Sequence, residues 1–155
     1  MASLLKSAFL CIGFLASFAA AAQTINVGSQ LAEIKLEDQF EQSLSLTSET
    51  QYLLFSRDMK GGEVVQLALE QHENNDAVDI IYLADISKMP GLISRFIAVP
   101  RMKDYPFSVG LDREGDATSN LPSNKDVATL VTLDNLTVKS IQFIDDADAL
   151  AKLLR

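Results

Sequence analysis

Residues 52–70 read YLLFSRDMKGGEVVQLALE, and the parsing of that stretch decides the rest of the chain. Residues 51–56 enclose the apolar run Tyr52, Leu53, Leu54 and Phe55, the length expected of a strand buried on both faces. Arg57, Asp58, Met59, Lys60, Gly61 and Gly62 follow as a loop rich in conformational freedom, and residues 63–73 then repeat Val64, Leu67, Ala68 and Gln71 at helical spacing. A second buried-strand run occupies residues 77–84, with Val78, Ile80, Ile81, Tyr82 and Leu83. The helix between the two runs is therefore a crossover joining parallel neighbours.

Downstream, Pro90 suits the first turn of a helix, and Met89, Leu92, Ile93, Phe96 and Ile97 mark one apolar face until Pro100 stops it. Residues 105–111 read as a third strand. Beyond a polar loop at 112–126, strands over 127–133 and 136–144 form a hairpin joined through Asp134 and Asn135. Asp145 or Asp146 caps a final helix over 147–154, whose closing Lys152 and Arg155 suit its dipole. Upstream, Leu31, Ile34, Leu36, Phe40, Leu44 and Leu46 alternate loosely, which predicts a short hairpin with residues 37–43 as its polar turn.

The first 22 residues carry Lys6, an apolar run over 7–18 and then Ala19, Ala20, Ala21 and Ala22. That is the layout of a secretory signal peptide cut after Ala20, Ala21 or Ala22, which makes the mature protein periplasmic or secreted. A transmembrane anchor needs roughly 20 apolar residues and flanking positive charge, and residues 23–30 have no positive charge. Lipid attachment at Cys11, in mid-run, would leave too short a signal. Cleavage leaves residues 23–155 as one domain. The chain holds 13 basic and 21 acidic residues for a net charge of −8. Nucleic acid and anionic membrane surfaces are poor partners for such a charge. Cys11 is the only cysteine, so the mature chain has no thiol and forms no disulfide.

The order of elements, carried by residues 52–70, YPFSVGLDREGD (105–116), ATLVTLDNLTVKSIQFI (128–144) and DADALAKLL (146–154), resembles the thioredoxin-like superfamily, with the closer likeness to its peroxiredoxin and TlpA-like branch. The resemblance implies an α/β three-layer sandwich whose mixed central sheet ends in a C-terminal β-hairpin and helix. Redox members place a cysteine pair at the start of the first helix, where this chain has Arg57, Asp58, Met59, Lys60, Gly61 and Gly62. Neither aspartate nor methionine there can replace the thiolate that exchange chemistry needs. Members also tend to carry a cis proline just before the hairpin. The comparable place here reads Asp126, Val127, Ala128, and the nearby Pro106 precedes a different strand.

Without either part, the expected role is a binding or accessory module of the bacterial envelope with no thiol-disulfide chemistry and no cofactor. Its expected surface is the rim formed by Arg57, Asp58, Met59, Lys60, Gly61 and Gly62 with Val127 and Ala128 opposite, open to an envelope protein or a small anionic ligand. The alternative is an enzyme independent of cysteine, with Arg57, Asp58 or Lys60 polarising a small anionic substrate.

Other chemistry-bearing residues read more plainly. His72, the lone histidine, stands beside Glu70 and Glu73 with Asp76 near, too few matched ligands for a metal, and reads as a surface histidine. Asp112, Glu114 and Asp116 alternate as in a calcium loop, but Gly115 and Ser123 fall where that loop needs other residues, which leaves a solvated turn. Ser56 lacks a nucleophile elbow. Gly61 and Gly62 at a helix start could offer N–H groups to an anion beside Arg57 and Lys60, although glycine also serves a flexible turn. No G-x-G-x-x-G or G-x-x-x-x-G-K stretch supports a nucleotide. Lys88, Arg95, Arg101 and Lys103, with no acid between the first and last, read as a solvated helix face that could dock an acidic partner. Met89, Phe96 and Met102 read as core. Asn135, Leu136 and Thr137 match a glycosylation acceptor inside a tight turn.

Overall fold

In the computed structural model, residues 23–72 and 78–155 are described; the expected leader with Cys11, and Glu73 and Asp76 of the crossover, lie outside them. Strand β3 (Tyr52–Ser56) is buried on both faces, as its unbroken apolar run demands. Its alternate residues point to opposite sides. Leu54 joins one core cluster, and Leu53 and Phe55 join another.

The elements run β1 (Ile34–Glu37), β2 (Ser43–Leu46), β3, α1 (Met59–Gln71), β4 (Ile80–Asp85), α2 (Gly91–Ile93), a π-helical turn (Ser94–Ala98), α3 (Val99–Met102), β5 (Gly110–Asp112), β6 (Ala128–Asp134), β7 (Thr137–Ile144) and α4 (Ala147–Leu153). All seven strands form one mixed sheet in the order β2-β1-β5-β4-β3-β6-β7. β3, β4 and β5 are parallel neighbours, while β6 pairs antiparallel with both β3 and β7.

The two parallel crossovers step across the sheet in the same direction, so right-handed connections place both on one face. The packing agrees. Val65 and Ala68 of α1, Val99 and Met102 of α3, and Leu150 and Ala151 of α4 all belong to the cluster built on Leu54, Tyr82 and Leu130. Irregular chain covers the opposite face, where Ile25, Leu31 and Leu121 pack on Leu53, Phe55, Leu83 and Val131. The N-terminal segment is fixed there by backbone hydrogen bonds from Gly28 to Val138 (2.8 Å) and from Leu31 to Leu136 (2.8 Å).

Several expectations need correction. Helix α1 starts at Met59 rather than at residue 63, because the Asp58 side chain caps it. The strand expected over 105–111 shrinks to β5. Upstream of it the Gln39 amide donates to the carbonyls of Met102 (3.2 Å) and Phe107 (2.8 Å) and accepts from Val109 N–H (2.8 Å), which occupies that backbone with side-chain bonds. The hairpin turn holding Gln39 is therefore not a solvated one: Asp38 and Gln39 are buried and Phe40 is exposed. Nor does Pro100 stop its helix. The preceding turn widens, Val99 N–H bonding back to the carbonyl of Ser94. A π turn is a recognised accommodation, and it lets the chain remain helical through a residue without an N–H. Phe96 is corrected from core to surface, along with Leu92, Ile93 and Ile97, whereas Met89 and Met102 do pack on the core. The terminal hairpin turns one residue later than expected, through Asn135 and Leu136, both at positive φ (48° and 62°). That geometry is a type I′ turn.

Candidate functional site

The site lies where β3 ends and α1 begins. Asp58, in extended backbone at φ −141°, is the N-cap. Its Oδ1 accepts from Gly61 N–H (2.8 Å), as capping requires. Its Oδ2 reaches across to accept from Asp126 N–H (2.8 Å). One carboxylate thus fastens the helix start to the chain entering β6.

Two further contacts close the same junction. Lys60 Nζ lies 3.5 Å from the Asp126 carboxylate, and Gly61 faces the Val127 carbonyl so closely that a Cβ there would stand 2.3 Å from its oxygen. Gly61 is helical and buried, so it is needed for close approach and not, as expected, for a flexible turn. Asp126 sits in the left-handed region at φ 64°. The peptide bonds here are trans, as throughout the described residues.

The expected rim residues do come together, with different fates. Met59 is 80% exposed and, with Lys60, forms the outward surface. Ala128 is fully buried at the start of β6. Arg57 turns its guanidinium inward, Nε to Asp85 Oδ2 (3.0 Å), Nη1 to Ser123 Oγ (3.2 Å) and Nη2 to the Thr118 carbonyl (2.8 Å). It also stacks over the Phe55 ring at 5.1 Å. The arginine ties β3, β4 and the segment crossing the second face into one unit. Asp85 is held from its other oxygen by the N–H and hydroxyl of Ser87 (3.0 and 2.6 Å).

Beneath α1, Ser56 and Tyr82 share a buried hydroxyl–hydroxyl hydrogen bond of 2.7 Å. Burial pushes the Tyr82 phenol up to about 12, partly opposed by that bond. Ser56 is therefore internal, paired and covered by Gly62. The Asp112 turn is corrected in the same sense: its carboxylate is buried and accepts from Gly115 N–H, Thr118 N–H and Thr118 Oγ1, each at 2.8 Å. His72 is half-buried, with Nδ1 buried and without a hydrogen-bond partner among the described residues. Among those residues no group of three or more histidine, cysteine, aspartate or glutamate side chains is placed to hold a metal.

Sequence reasoning missed Asp85, Thr118 and Ser123 as partners of Arg57, and Asp126 as the second partner of Asp58. Nothing local marks them, because each contact spans 28 to 68 positions of sequence.

Seven strands in this order, with a capped helix following β3 and a terminal hairpin and helix, are the thioredoxin-like fold. Solved structures agree. The thioredoxin domain of a thiol-disulfide oxidoreductase from Bacteroides vulgatus is 13% identical, spans 85% of this chain and 100% of its own, and superposes with a TM-score of 0.55. A peroxiredoxin-like protein from Aquifex aeolicus is 11% identical over 84% of this chain and 86% of its own, with a TM-score of 0.54. The exposed lipoprotein thioredoxin of Streptococcus pneumoniae is 14% identical over 79% and 98%, with a TM-score of 0.55. These likenesses establish the fold. They include the peroxiredoxin-like branch that the sequence resembles, yet no residue from 23 to 155 is a cysteine. No protein-family model matches the chain, and no curated protein is similar to it in sequence.

Proposed function

We propose that this is an exported thioredoxin-like binding or accessory protein of the bacterial envelope that performs no thiol-disulfide exchange. The carrying observation is the junction at Asp58. Where the resemblance implies a cysteine activated by a helix N-terminus, this chain has a carboxylate that consumes the Gly61 N–H and bonds Asp126 N–H as well. Exchange needs a thiolate, and residues 23–155 have none to supply. Export is supported by the leader-like residues 1–22 and by a fold neighbour described as an exposed lipoprotein. Among the described residues no helix is long and apolar enough to cross a membrane.

The enzyme alternative has less to stand on. Arg57 spends three nitrogens on protein acceptors, both Asp58 oxygens are occupied, and Lys60 pairs with Asp126. A binding rim needs only what faces outward, the exposed Met59 and the solvent-facing Lys60–Asp126 pair.

The test compares wild type with Met59→Asp and Lys60→Glu in capture of partners from envelope extract, beside an insulin-disulfide reduction assay. The expected result is a captured partner lost by both variants, with no reduction of insulin. Unaided insulin reduction by wild type would overturn the chemistry, and capture indifferent to both substitutions would overturn the rim.

A further inference from the structure

The second half of the β4-to-β5 crossover carries a surface that the rim does not use. Along residues 91–102 the helical run is held to the core from one side, through Val99 and Met102, with Met89 just before it. Its other side carries Leu92 (75% exposed), Phe96 (65%) and Ile97 (63%), with Ile93 beside them. Scattered exposed apolar residues are ordinary, whereas several on one short helix mark a contact surface.

The charge around these side chains says what covers them. Lys88, Arg95, Arg101 and Lys103 are all exposed, and no acid occurs between the first and the last. Arg95 lies with its guanidinium 5.7 Å from the Phe96 ring centre, which keeps a cation beside the largest apolar group. In a chain of net charge −8 this is a local reversal of sign. Exposed Asp104, next to Lys103, offsets one of the four positive charges, and acids farther away than about 8 Å are largely screened at physiological ionic strength. They instead favour one orientation, basic helix toward an anionic surface and the rest away.

We propose that residues 91–102 form a membrane-surface docking element that seats Leu92, Phe96 and Ile97 in the interface of an anionic bilayer while Lys88, Arg95, Arg101 and Lys103 meet its headgroups. Apolar side chains on one face with lysine and arginine around them are what an interfacial helix requires. The surface is a helix whose apolar tips stand out into solvent, and a bilayer accepts such tips without the shaped, acid-lined groove that a protein partner would have to provide. The whole-chain charge that argues against anionic membranes averages over this patch. The geometry also fixes the helix before binding, because Val99 and Met102 already hold its inner side.

The test is co-sedimentation of the purified full chain with vesicles of phosphatidylglycerol and phosphatidylethanolamine, against vesicles of phosphatidylcholine alone. Wild type is expected to bind the anionic vesicles and to lose at least about tenfold in affinity when salt rises to about 0.5 M, as electrostatic attraction is screened. The double variants Arg95→Glu/Arg101→Glu and Leu92→Ser/Phe96→Ser are expected to lose at least as much. All variants carry residues 1–22 in the same state, so any binding through that apolar run cancels in the comparison. The substituted positions are exposed, and unchanged circular dichroism and thermal midpoint would certify the fold. The chain has no tryptophan, so Phe96→Trp gives a clean reporter, whose emission should shift to the blue only with anionic vesicles. Binding by the variants equal to wild type, equal binding to neutral vesicles, an unshifted Phe96→Trp emission, or failure to bind vesicles while a soluble acidic protein is captured through the same residues would each overturn the proposal.

Discussion

A methyl group at Gly61 would stand 2.3 Å from the backbone oxygen of Val127, a contact that neither backbone can relieve without opening the junction. At Gly62 the nearest atoms are the Tyr82 hydroxyl at 3.4 Å and Ser56 Oγ at 3.6 Å, close to ordinary contact. The two adjacent glycines therefore respond oppositely to alanine. Gly61→Ala is expected to destabilise by about 1–3 kcal/mol, overpacking outweighing better helix propensity. Gly62→Ala should be neutral or stabilising by up to about 1 kcal/mol, and urea melts of both variants check the contrast. Tyr82 gives a second test. Its folded value of about 12 lies above its ordinary value of 10.0, so this contribution to stability is complete below about pH 10 and disappears as pH rises through 12. Tyr82→Phe should lower stability by about 1–2 kcal/mol at neutral pH, leaving Ser56 without its buried partner. It should also flatten the alkaline loss expected in wild-type thermal midpoints between about pH 9 and pH 12. Both glycines were visible in the sequence as the pair opening a helix; which of them is indispensable depends on a carbonyl 66 positions away and was not.

Among elements, β3, α1 and the terminal hairpin with α4 were legible because each is specified within its own few residues. β3 is a continuous apolar run, α1 repeats at helical spacing, and α4 carries its own cap, Asp146, accepting from Ala149 N–H at 2.6 Å. The third strand and the helix after Pro90 were legible as elements but not in their bounds: the distant Gln39 side chain bonds the Met102 and Phe107 carbonyls and Val109 N–H, and a π turn carries the helix past Pro100. The link between β3 and β4 was likewise hidden. Arg57 and Asp85 each follow or close a parallel strand, and the register Ser56 to Ala84 brings them side by side. Asp85 is only 5% exposed in its side chain, so removing the cation leaves a carboxylate short of compensation. Arg57→Met is expected to destabilise by about 2–3 kcal/mol, below the usual range for breaking a fully buried pair because the arginine itself is a quarter exposed. Guanidinium unfolding with an unchanged slope would show that the loss is in stability and not in compactness.

For the molecule as a whole, helices cover one face of the sheet while irregular chain, residues 25–31 and the segment around Leu121, seals the other. That second layer has no helix to support itself, so its stability rests on burial and on backbone bonds to β7 and its turn. Leu31→Ala is accordingly expected to cost about 2–4 kcal/mol despite lying outside any strand or helix, measured by denaturant melts. The amino-acid sequence alone determined the alternation of elements, the acidic balance and the absence of any thiol after Cys11, since periodicity, charge and composition are properties of neighbouring residues or of their sum. Tertiary structure alone decided that Arg57 is a tie, that Asp58 clamps two segments, and that Phe96 and its apolar neighbours face outward. The physical reason is that a side chain's role depends on which atoms it meets. Chain positions tens of residues apart meet only once the sheet has set its strand order and register.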